Sequence, residues 1–218
     1  TISDISHQLK TPLAALNMYM EIITEEPDNI ETVKTFSNKA IQSLERMEQL
    51  IQSMLKVTRI DAGSIKFQKN IYPVMELIEK SIENLTTRAK SEGKDIVIKG
   101  NPDDTVFCDL SWTSEAIGNI VKNALDHTTS GGIISIEYQY SPALFRMTIS
   151  DNGCGIAPED IHHIFKRFYR SKNSIDTQAV GLGLSLSKAI IEGQNGNISV
   201  SSTYGKGTVF TISFLTNL

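Results

Sequence analysis

The chain has 218 residues, 40% of them hydrophobic and 21% charged, so it can bury one large core or two small ones. Its formal net charge of −4, from 21 Lys and Arg against 25 Asp and Glu, argues against a nucleic-acid-binding protein, since such proteins are usually basic. The two cysteines, Cys108 and Cys154, have no ligand spacing with histidine and predict neither a zinc site nor a disulfide framework. We therefore expect a reducing, cytosolic compartment.

Two long helices are predicted for the N-terminal part of the chain. Apolar residues recur at alternating steps of three and four from Ile2 to Ile23, and the same spacing resumes from Ile30 to Thr58. Pro27-Asp28-Asn29 separates the two patterns as a turn would. A single helical hairpin cannot cover its own apolar stripe, so we expect two copies to form a four-helix bundle. Docking of the hairpin on the rest of the same chain is the alternative.

A linker near Asp61 to Ser64 divides the chain into a hairpin, 1–63, and a second domain, 64–218. The second domain has helical spacing over Val74–Ala89, Leu110–His127 and Leu184–Ile191. Alternating, strand-like patterns cover Asp95–Lys99, Ile133–Tyr140, Leu144–Ser150, Asn197–Ser202 and Thr208–Leu215. Together these patterns predict an α+β sandwich, in which one mixed sheet carries helices on one face.

His7 is predicted to point into solvent. It lies two residues after Ile5 of the apolar pattern, which is about 200° around a helix. Pro12 removes a backbone hydrogen bond to the carbonyl of Gln8 and favours a kink there. An exposed, near-neutral imidazole is a competent nucleophile for phosphoryl transfer, although an exposed histidine on a helix is in itself common.

Amide side chains and glycines indicate a phosphate-binding site. Asn119 and Asn123 are four residues apart, so their amides share one face of a helix and offer the oxygen ligands that Mg²⁺ prefers. Gly181-Leu182-Gly183-Leu184 directly precedes a helix, where free N–H groups bind phosphate oxygens. Asp151-Asn152-Gly153-Cys154-Gly155-Ile156 follows a strand, and Gly205-Lys206-Gly207-Thr208 lies between two strands. Surface asparagines and ordinary turns are the alternative for each segment.

Taken in order, these segments resemble the sensor histidine kinases of two-component systems. Ser6-His7-Gln8-Leu9-Lys10-Thr11-Pro12-Leu13 is similar to their phosphoacceptor motif, and the later segments resemble their nucleotide-binding motifs, so the resemblance covers essentially the whole chain. It implies that His7 is phosphorylated, that Gln8 and Thr11 assist there, and that Asn123 ligates Mg²⁺. The implied ATP-binding residues are Asn119, Asn123, Asp126, His127, Asp151, Gly153, Gly155, Ile156, Phe165, Phe168, Tyr169, Arg170, Gly181, Leu182, Gly183, Leu184 and Thr208.

The resemblance also assigns roles to some of these residues. The aspartate that Asp151 matches reads the adenine amino group, and the arginine that Arg170 matches reaches the triphosphate. Phe165 and Phe168 anchor a lid, for which the polar segment Ser171 to Val180 is the candidate.

The implied activity is ATP-dependent autophosphorylation of His7, followed by transfer to an aspartate of a response regulator, with phosphatase activity toward that partner. The implied assembly is a homodimer that binds a receiver domain and no nucleic acid. The chain begins inside a helical pattern and has no signal peptide and no apolar run of about 18 residues. We therefore expect a cytoplasmic fragment of a protein whose upstream sensor region lies in the bacterial membrane.

Three residues depart from the family pattern. Gln8 stands where an acidic residue is frequent, Ala179 where a glycine is usual, and Asp126 where a basic residue is frequent. These changes leave room for a catalytically silent dimeric adaptor. The other alternative is a Ser/Thr kinase or ATPase of the same superfamily, which the exposed His7 disfavours. Asn119 disfavours it as well, because the related ATPases carry a glutamate there.

Overall fold

The structure is a computed structural model that describes residues 2–171 and 181–216, with side chains from residue 6 onward. The chain divides into two compact units, Thr1–Lys56 and Val57–Leu218. Over the described residues, no helix combines the length and apolar character that crossing a membrane requires.

The first unit is a helical hairpin, as predicted. Helix α1 spans Ile2–Glu25 and continues through Pro12, and helix α2 spans Ile30–Asp61. Asn29 ends the turn and caps α2, because its side-chain oxygen accepts a hydrogen bond from the Thr32 N–H at 3.2 Å. Across the hairpin, the rings of Tyr19 and Phe36 lie 5.8 Å apart.

A single hairpin leaves part of its apolar surface uncovered. Ala40 and Leu50 of α2 are buried. Four large apolar side chains of the same helix remain 43% to 53% exposed: Ile41, Leu44, Ile51 and Leu55. These residues recur at steps of three, seven and four, so they form a continuous stripe along α2. We call this set the exposed α2 stripe.

The second unit is an α/β domain. Its helices are α3 Val74–Ile82, α4 Thr86–Ser91, α5 Leu110–His127 and α6 Gly183–Gly193. Its strands are β1 Asn70–Pro73, β2 Asp95–Lys99, β3 Thr105–Cys108, β4 Ile133–Tyr140, β5 Leu144–Asp151, β6 Asn197–Thr203 and β7 Gly207–Leu215. The single helix predicted over Val74–Ala89 was wrong, because a turn closed by a 2.8 Å bond from the Leu85 N–H to the Ile82 carbonyl separates α3 from α4.

The main sheet has five strands in the order β2-β4-β5-β7-β6. Strands β2 and β4 are parallel and every other neighbouring pair is antiparallel, which confirms the predicted mixed sheet. Side chains on one face, such as Ile136 of β4 and Met147 of β5, are buried under α3, α5 and α6. Gln139 and Arg146 on the other face are exposed. Strands β1 and β3 form a separate antiparallel pair.

The last turn of α2 lies within the second unit. Val57 is buried in the core of that unit, and Ile60 packs against it. Asp61 forms an ion pair with Arg167. These residues at the end of α2 therefore belong to the second unit.

Candidate functional site

Helix α5 presents the two candidate amides. Its N-terminus is capped by Asp109, whose side chain accepts the Trp112 N–H at 3.1 Å. Burial of the apolar side of α5 turns Asn119 and Asn123 outward, and both are partly exposed. A Cβ atom on Gly183 would lie 3.8 Å from the Cβ of Asn119. The start of α6 is therefore adjacent to the predicted amide face.

Gly183 is exposed at the first position of α6, where backbone N–H groups have no partner within the helix. Leu182 is buried, and Leu184 packs partly buried against the core. Leu182 can therefore contribute to a ligand site only through its backbone. This geometry is that of an anion-binding helix start.

Asp151 lies at the end of β5, between Ile134 of β4 and Thr208 of β7. Its Oδ1 accepts the Gly153 N–H at 2.9 Å, and the backbone of Thr208 also donates to the carboxylate. Burial raises the pKa of Asp151, although these hydrogen bonds and the nearby His127 ring act in the opposite direction. Asp151 is thus a partly buried carboxylate held in place by backbone donors.

The glycines after Asp151 allow the backbone to pack closely. A Cβ atom on Gly153 would collide with the carbonyl oxygen of His127, which also accepts the Cys154 N–H at 3.1 Å. Gly155 has a φ of +67°, and a Cβ there would collide with the carbonyl of Thr203. The close approach expected from the sequence is therefore made to the end of α5 and to the β6–β7 hairpin.

Ser202 connects this turn to the β6–β7 hairpin. Its Oγ accepts the Ile156 N–H at 2.8 Å and donates to the Gly207 carbonyl at 2.8 Å. The Oγ1 of the buried Thr208 lies 3.1 Å from the same oxygen. Ser202 belongs to none of the predicted motifs, and sequence reasoning missed it.

The aromatic segment packs on the core and ends where the predicted lid begins. The Phe165 ring meets Phe210 edge-on at 6.2 Å, and the Lys188 ammonium lies 5.4 Å from its centre. Phe168 has a φ of +61°, and its N–H donates to the Gly181 carbonyl at 2.9 Å. The two ends of the intervening segment therefore meet. Most of the predicted lid, 172–180, lies outside the described residues, as does Ala179.

The hydroxyl of Tyr169 is hydrogen-bonded within the protein. Its hydroxyl donates to the carboxylate of Asp160, and this interaction raises the pKa of Tyr169 to about 12. Its ring lies 5.5 Å from that of His163. Arg170 follows directly and is partly exposed.

Asp126 is held in ion pairs. Its Oδ1 accepts from Arg88 Nη2 at 2.6 Å, and its Oδ2 lies 3.3 Å from Lys122 Nζ. Arg88 is on α4, outside every motif, and sequence reasoning missed it. The acidic residue at an expected basic position thus has an arginine partner close by.

The phosphoacceptor candidates are in the first unit. His7 and Thr11 are exposed, as the helical geometry predicts for His7, and Gln8 is partly buried. The Thr11 hydroxyl donates to the His7 carbonyl at 3.3 Å. Its oxygen remains able to accept a hydrogen bond.

The chain thus joins a helical hairpin that exposes a histidine to a mixed α/β domain with a candidate phosphate-binding helix start. Residues 1–63 match the model of the His Kinase A (phospho-acceptor) domain, and residues 108–217 match that of the histidine kinase-, DNA gyrase B-, and HSP90-like ATPases. The chain belongs to the sensor histidine kinases, a family of ATP-dependent protein-histidine kinases, and its second unit carries that family's ATP-binding domain.

Individual relatives agree with this assignment. The chain is 30% identical over 217 residues to Sensor protein SrrB of Staphylococcus aureus, covering 97% of this chain and 37% of that protein. The chain therefore spans little more than a third of the length of the curated relatives it matches.

Two solved structures share the fold. The Acinetobacter baumannii histidine kinase AdeS superposes with a TM-score of 0.78 at 22% identity, over 97% of this chain and 98% of that one. Histidine kinase ThkA, solved in complex with response regulator protein TrrA, gives a TM-score of 0.77 at 22% identity, over 98% of this chain and 60% of that one.

Proposed function

We propose that this chain uses ATP to phosphorylate His7 and then passes the phosphoryl group to an aspartate of a response regulator. One observation carries the proposal: a histidine exposed on a helical hairpin precedes a domain in which Asn119, Asp151 and Gly183 come from adjoining elements. The ThkA complex with TrrA supports a partner of the response-regulator class.

Asp151 sets the base preference of the proposed nucleotide site. Its carboxylate accepts hydrogen bonds, and adenine offers an exocyclic amino group whereas guanine offers a carbonyl oxygen at that position. The N–H groups at the start of α6 bind phosphate oxygens beside Asn119. The hydrogen bond to Asp151 favours ATP over GTP, whereas the N–H groups would bind the triphosphate of either nucleotide.

Asn123 is the proposed Mg²⁺ ligand. Its amide oxygen is a hard donor on the same face of α5 as Asn119, and this donor chemistry fits a cation that shares its coordination with phosphates. Among the described residues, no group of three or more His, Cys, Asp or Glu side chains could hold a metal ion. Bound Mg²⁺ would neutralise charge on the triphosphate.

The chemistry at His7 is an in-line substitution. A ring nitrogen attacks the γ-phosphorus, so a P–N bond forms as the bond to the ADP oxygen breaks. Gln8 can accept a hydrogen bond from the other ring nitrogen through its amide oxygen, but it adds no charge. Thr11, whose hydroxyl donates a hydrogen bond to the backbone carbonyl of His7, accepts a hydrogen bond from the water that removes phosphate from the partner.

The same proposal includes a homodimer built through the hairpin. The exposed α2 stripe supports it, since an apolar stripe of this length is normally covered in a four-helix bundle. The sensor region and membrane attachment that the resemblance implies for the full-length protein stay predictions.

The first test is incubation with γ-labelled ATP and Mg²⁺. We expect the unchanged chain to become labelled and His7→Ala to take up no label. His162→Ala is the matched control, because His162 is an exposed histidine of the second unit and should leave labelling intact. Label retained by His7→Ala would contradict the assignment of His7.

The stability of the label separates the alternatives. Phosphohistidine is lost in acid and survives base, whereas phosphoserine and phosphothreonine survive acid and are lost in base. Acid-stable label would favour a Ser/Thr kinase, and release of free phosphate without label would favour an ATPase. Binding of nucleotide without labelling of the protein and without release of free phosphate would favour a catalytically silent adaptor.

A further inference from the structure

A group of five charged side chains surrounds the end of helix α5. Asp126 is at its centre: its side chain is only 15% exposed, and its two oxygens meet Arg88 at 2.6 Å and Lys122 at 3.3 Å. Arg88 also donates from Nε to Glu92 at 2.6 Å. Glu92 in turn pairs with Lys94, which donates to the Leu125 carbonyl at 2.7 Å.

Asp126 lies on the side of α5 that carries the proposed nucleotide ligands. It follows Asn123 by three residues and Asn119 by seven, and residues three or four apart on a helix have Cβ atoms about 5–6 Å from each other. Asn119 is in turn adjacent to Gly183 at the start of α6. An unpaired carboxylate at residue 126 would therefore act on a triphosphate bound between these elements.

We propose that Arg88 is a positioning residue for nucleotide binding, because it holds and neutralises the Asp126 carboxylate that would otherwise repel the triphosphate of Mg²⁺-bound ATP. The inference rests on the proposed function, since it requires the phosphates to lie along this side of α5. It assigns a role to a residue that precedes the matched ATP-binding region, 108–217.

The geometry favours Arg88 over Lys122 as the compensating cation. The guanidinium engages Asp126 and Glu92 through two different nitrogens, which fixes its plane. Lys122 contacts Asp126 with a single, longer pair and is half exposed, so solvent screens its charge. Loss of Arg88 should therefore leave most of the negative charge of Asp126 unbalanced.

If Arg88 had a purely structural role, the expected effects of its loss on ligand binding would differ from those of charge compensation. If the pair only attached α4 to α5, its loss would weaken binding of any adenine ligand to the same degree. Charge compensation acts on phosphates alone, so adenosine and a triphosphate should respond differently. The effect should also shrink at high salt, where charges are screened over a few ångströms.

The test is isothermal titration of the chain with Mg²⁺-bound AMP-PNP and with adenosine. Arg88→Ala should weaken AMP-PNP binding about tenfold at low ionic strength and change adenosine binding less than about twofold. Asp126→Asn, which leaves Arg88 in place, should tighten AMP-PNP binding about threefold. The double variant has the same local charge as the parent and should return to within about twofold of its affinity.

Arg146→Ala is the matched control, since it removes one arginine from the exposed face of the sheet and should leave both affinities unchanged. Equal loss of AMP-PNP and adenosine binding in Arg88→Ala, or no rescue in the double variant, would overturn the proposal. Unchanged AMP-PNP binding in Arg88→Ala would overturn it as well. A parent chain that binds adenosine and AMP-PNP weakly alike would instead overturn the proposed nucleotide site.

Discussion

Asp151 is held at the end of β5 in a setting that disfavours its charged form. Burial raises the pKa of its carboxyl above the ordinary value of 3.8. A raised pKa means that the folded state binds the proton more tightly than the unfolded state does. The stability associated with this group is therefore fully present below pH 3.8 and is lost as the pH rises through the folded-state pKa.

Asp151→Asn should separate stability from binding. The variant removes the buried charge, so its unfolding free energy relative to the parent should be most favourable at pH 7 and should decline as the pH falls toward 4. Loss of a hydrogen bond to a charged acceptor should weaken AMP-PNP binding at least about tenfold. Thermal unfolding across this pH range and titration at pH 7 measure the two effects. A stability difference that grows at low pH would contradict the explanation.

The site residues that could be predicted from the sequence are those whose spacing along the chain determines their relative positions. Helical periodicity alone predicted that Asn119 and Asn123 share one face of α5. Ser202 and Arg88 were missed because their hydrogen bonds join elements far apart in the sequence. Asp126 could be named as a candidate, but its ion pair with Arg88 depends on how α4 packs beside α5.

Among the elements, α5 was predicted with its exact bounds, because an aspartate cap precedes it and most residues of its buried side are apolar. Strands β1 and β3 were missed. Each has only four residues, and they pair with each other across intervening helices, so neither shows a pattern of its own. The helical spacing of Val74–Ala89 hid the turn between α3 and α4.

Gln194 links the end of helix α6 to the start of α5. It is buried, and its Oε1 accepts the backbone N–H of Asp109 at 2.7 Å. Its Nε2 donates to Thr113 Oγ1 at 3.0 Å. Asp109 in turn caps α5 and accepts the Gln68 N–H at 2.8 Å. These hydrogen bonds therefore connect α5 and α6 to Gln68, in the segment that follows α2.

Gln194→Leu should lower the free energy of unfolding of the second unit by about 2–4 kcal/mol, because it leaves the Asp109 N–H and the Thr113 hydroxyl buried without this partner. Gln139→Leu is the matched control, since Gln139 is exposed on the outer face of the sheet, and it should change stability by about 0.5 kcal/mol or less. Chemical denaturation measures both variants. If Gln194→Leu and Gln139→Leu changed the free energy of unfolding equally, the buried hydrogen bonds of Gln194 would contribute little to stability.

At the scale of the whole molecule, the sequence predicted a helical hairpin followed by an α+β domain, because the hydrophobic periods of the two parts differ. The hairpin repeats every three and four residues, and the strands alternate. What periodicity could not assign is which apolar residues face the other helix of the hairpin. Leu44 and Ile51 belong to the same predicted pattern as Ala40, yet they are half exposed while Ala40 is buried.

The exposed α2 stripe allows a direct test of assembly. Leu44→Glu and Ile51→Glu place a charge where we expect the second copy to pack, and burying an unpaired charge costs several kcal/mol, so either variant should shift the chain from dimer to monomer. Gln52→Glu introduces the same charge one residue outside the stripe and should remain dimeric. Light scattering after size-exclusion chromatography gives the mass of each form.

Binding of AMP-PNP should be the same in all three variants, because the substitutions lie outside the second unit. Dimers that persist in both stripe variants would show that a different surface joins the copies.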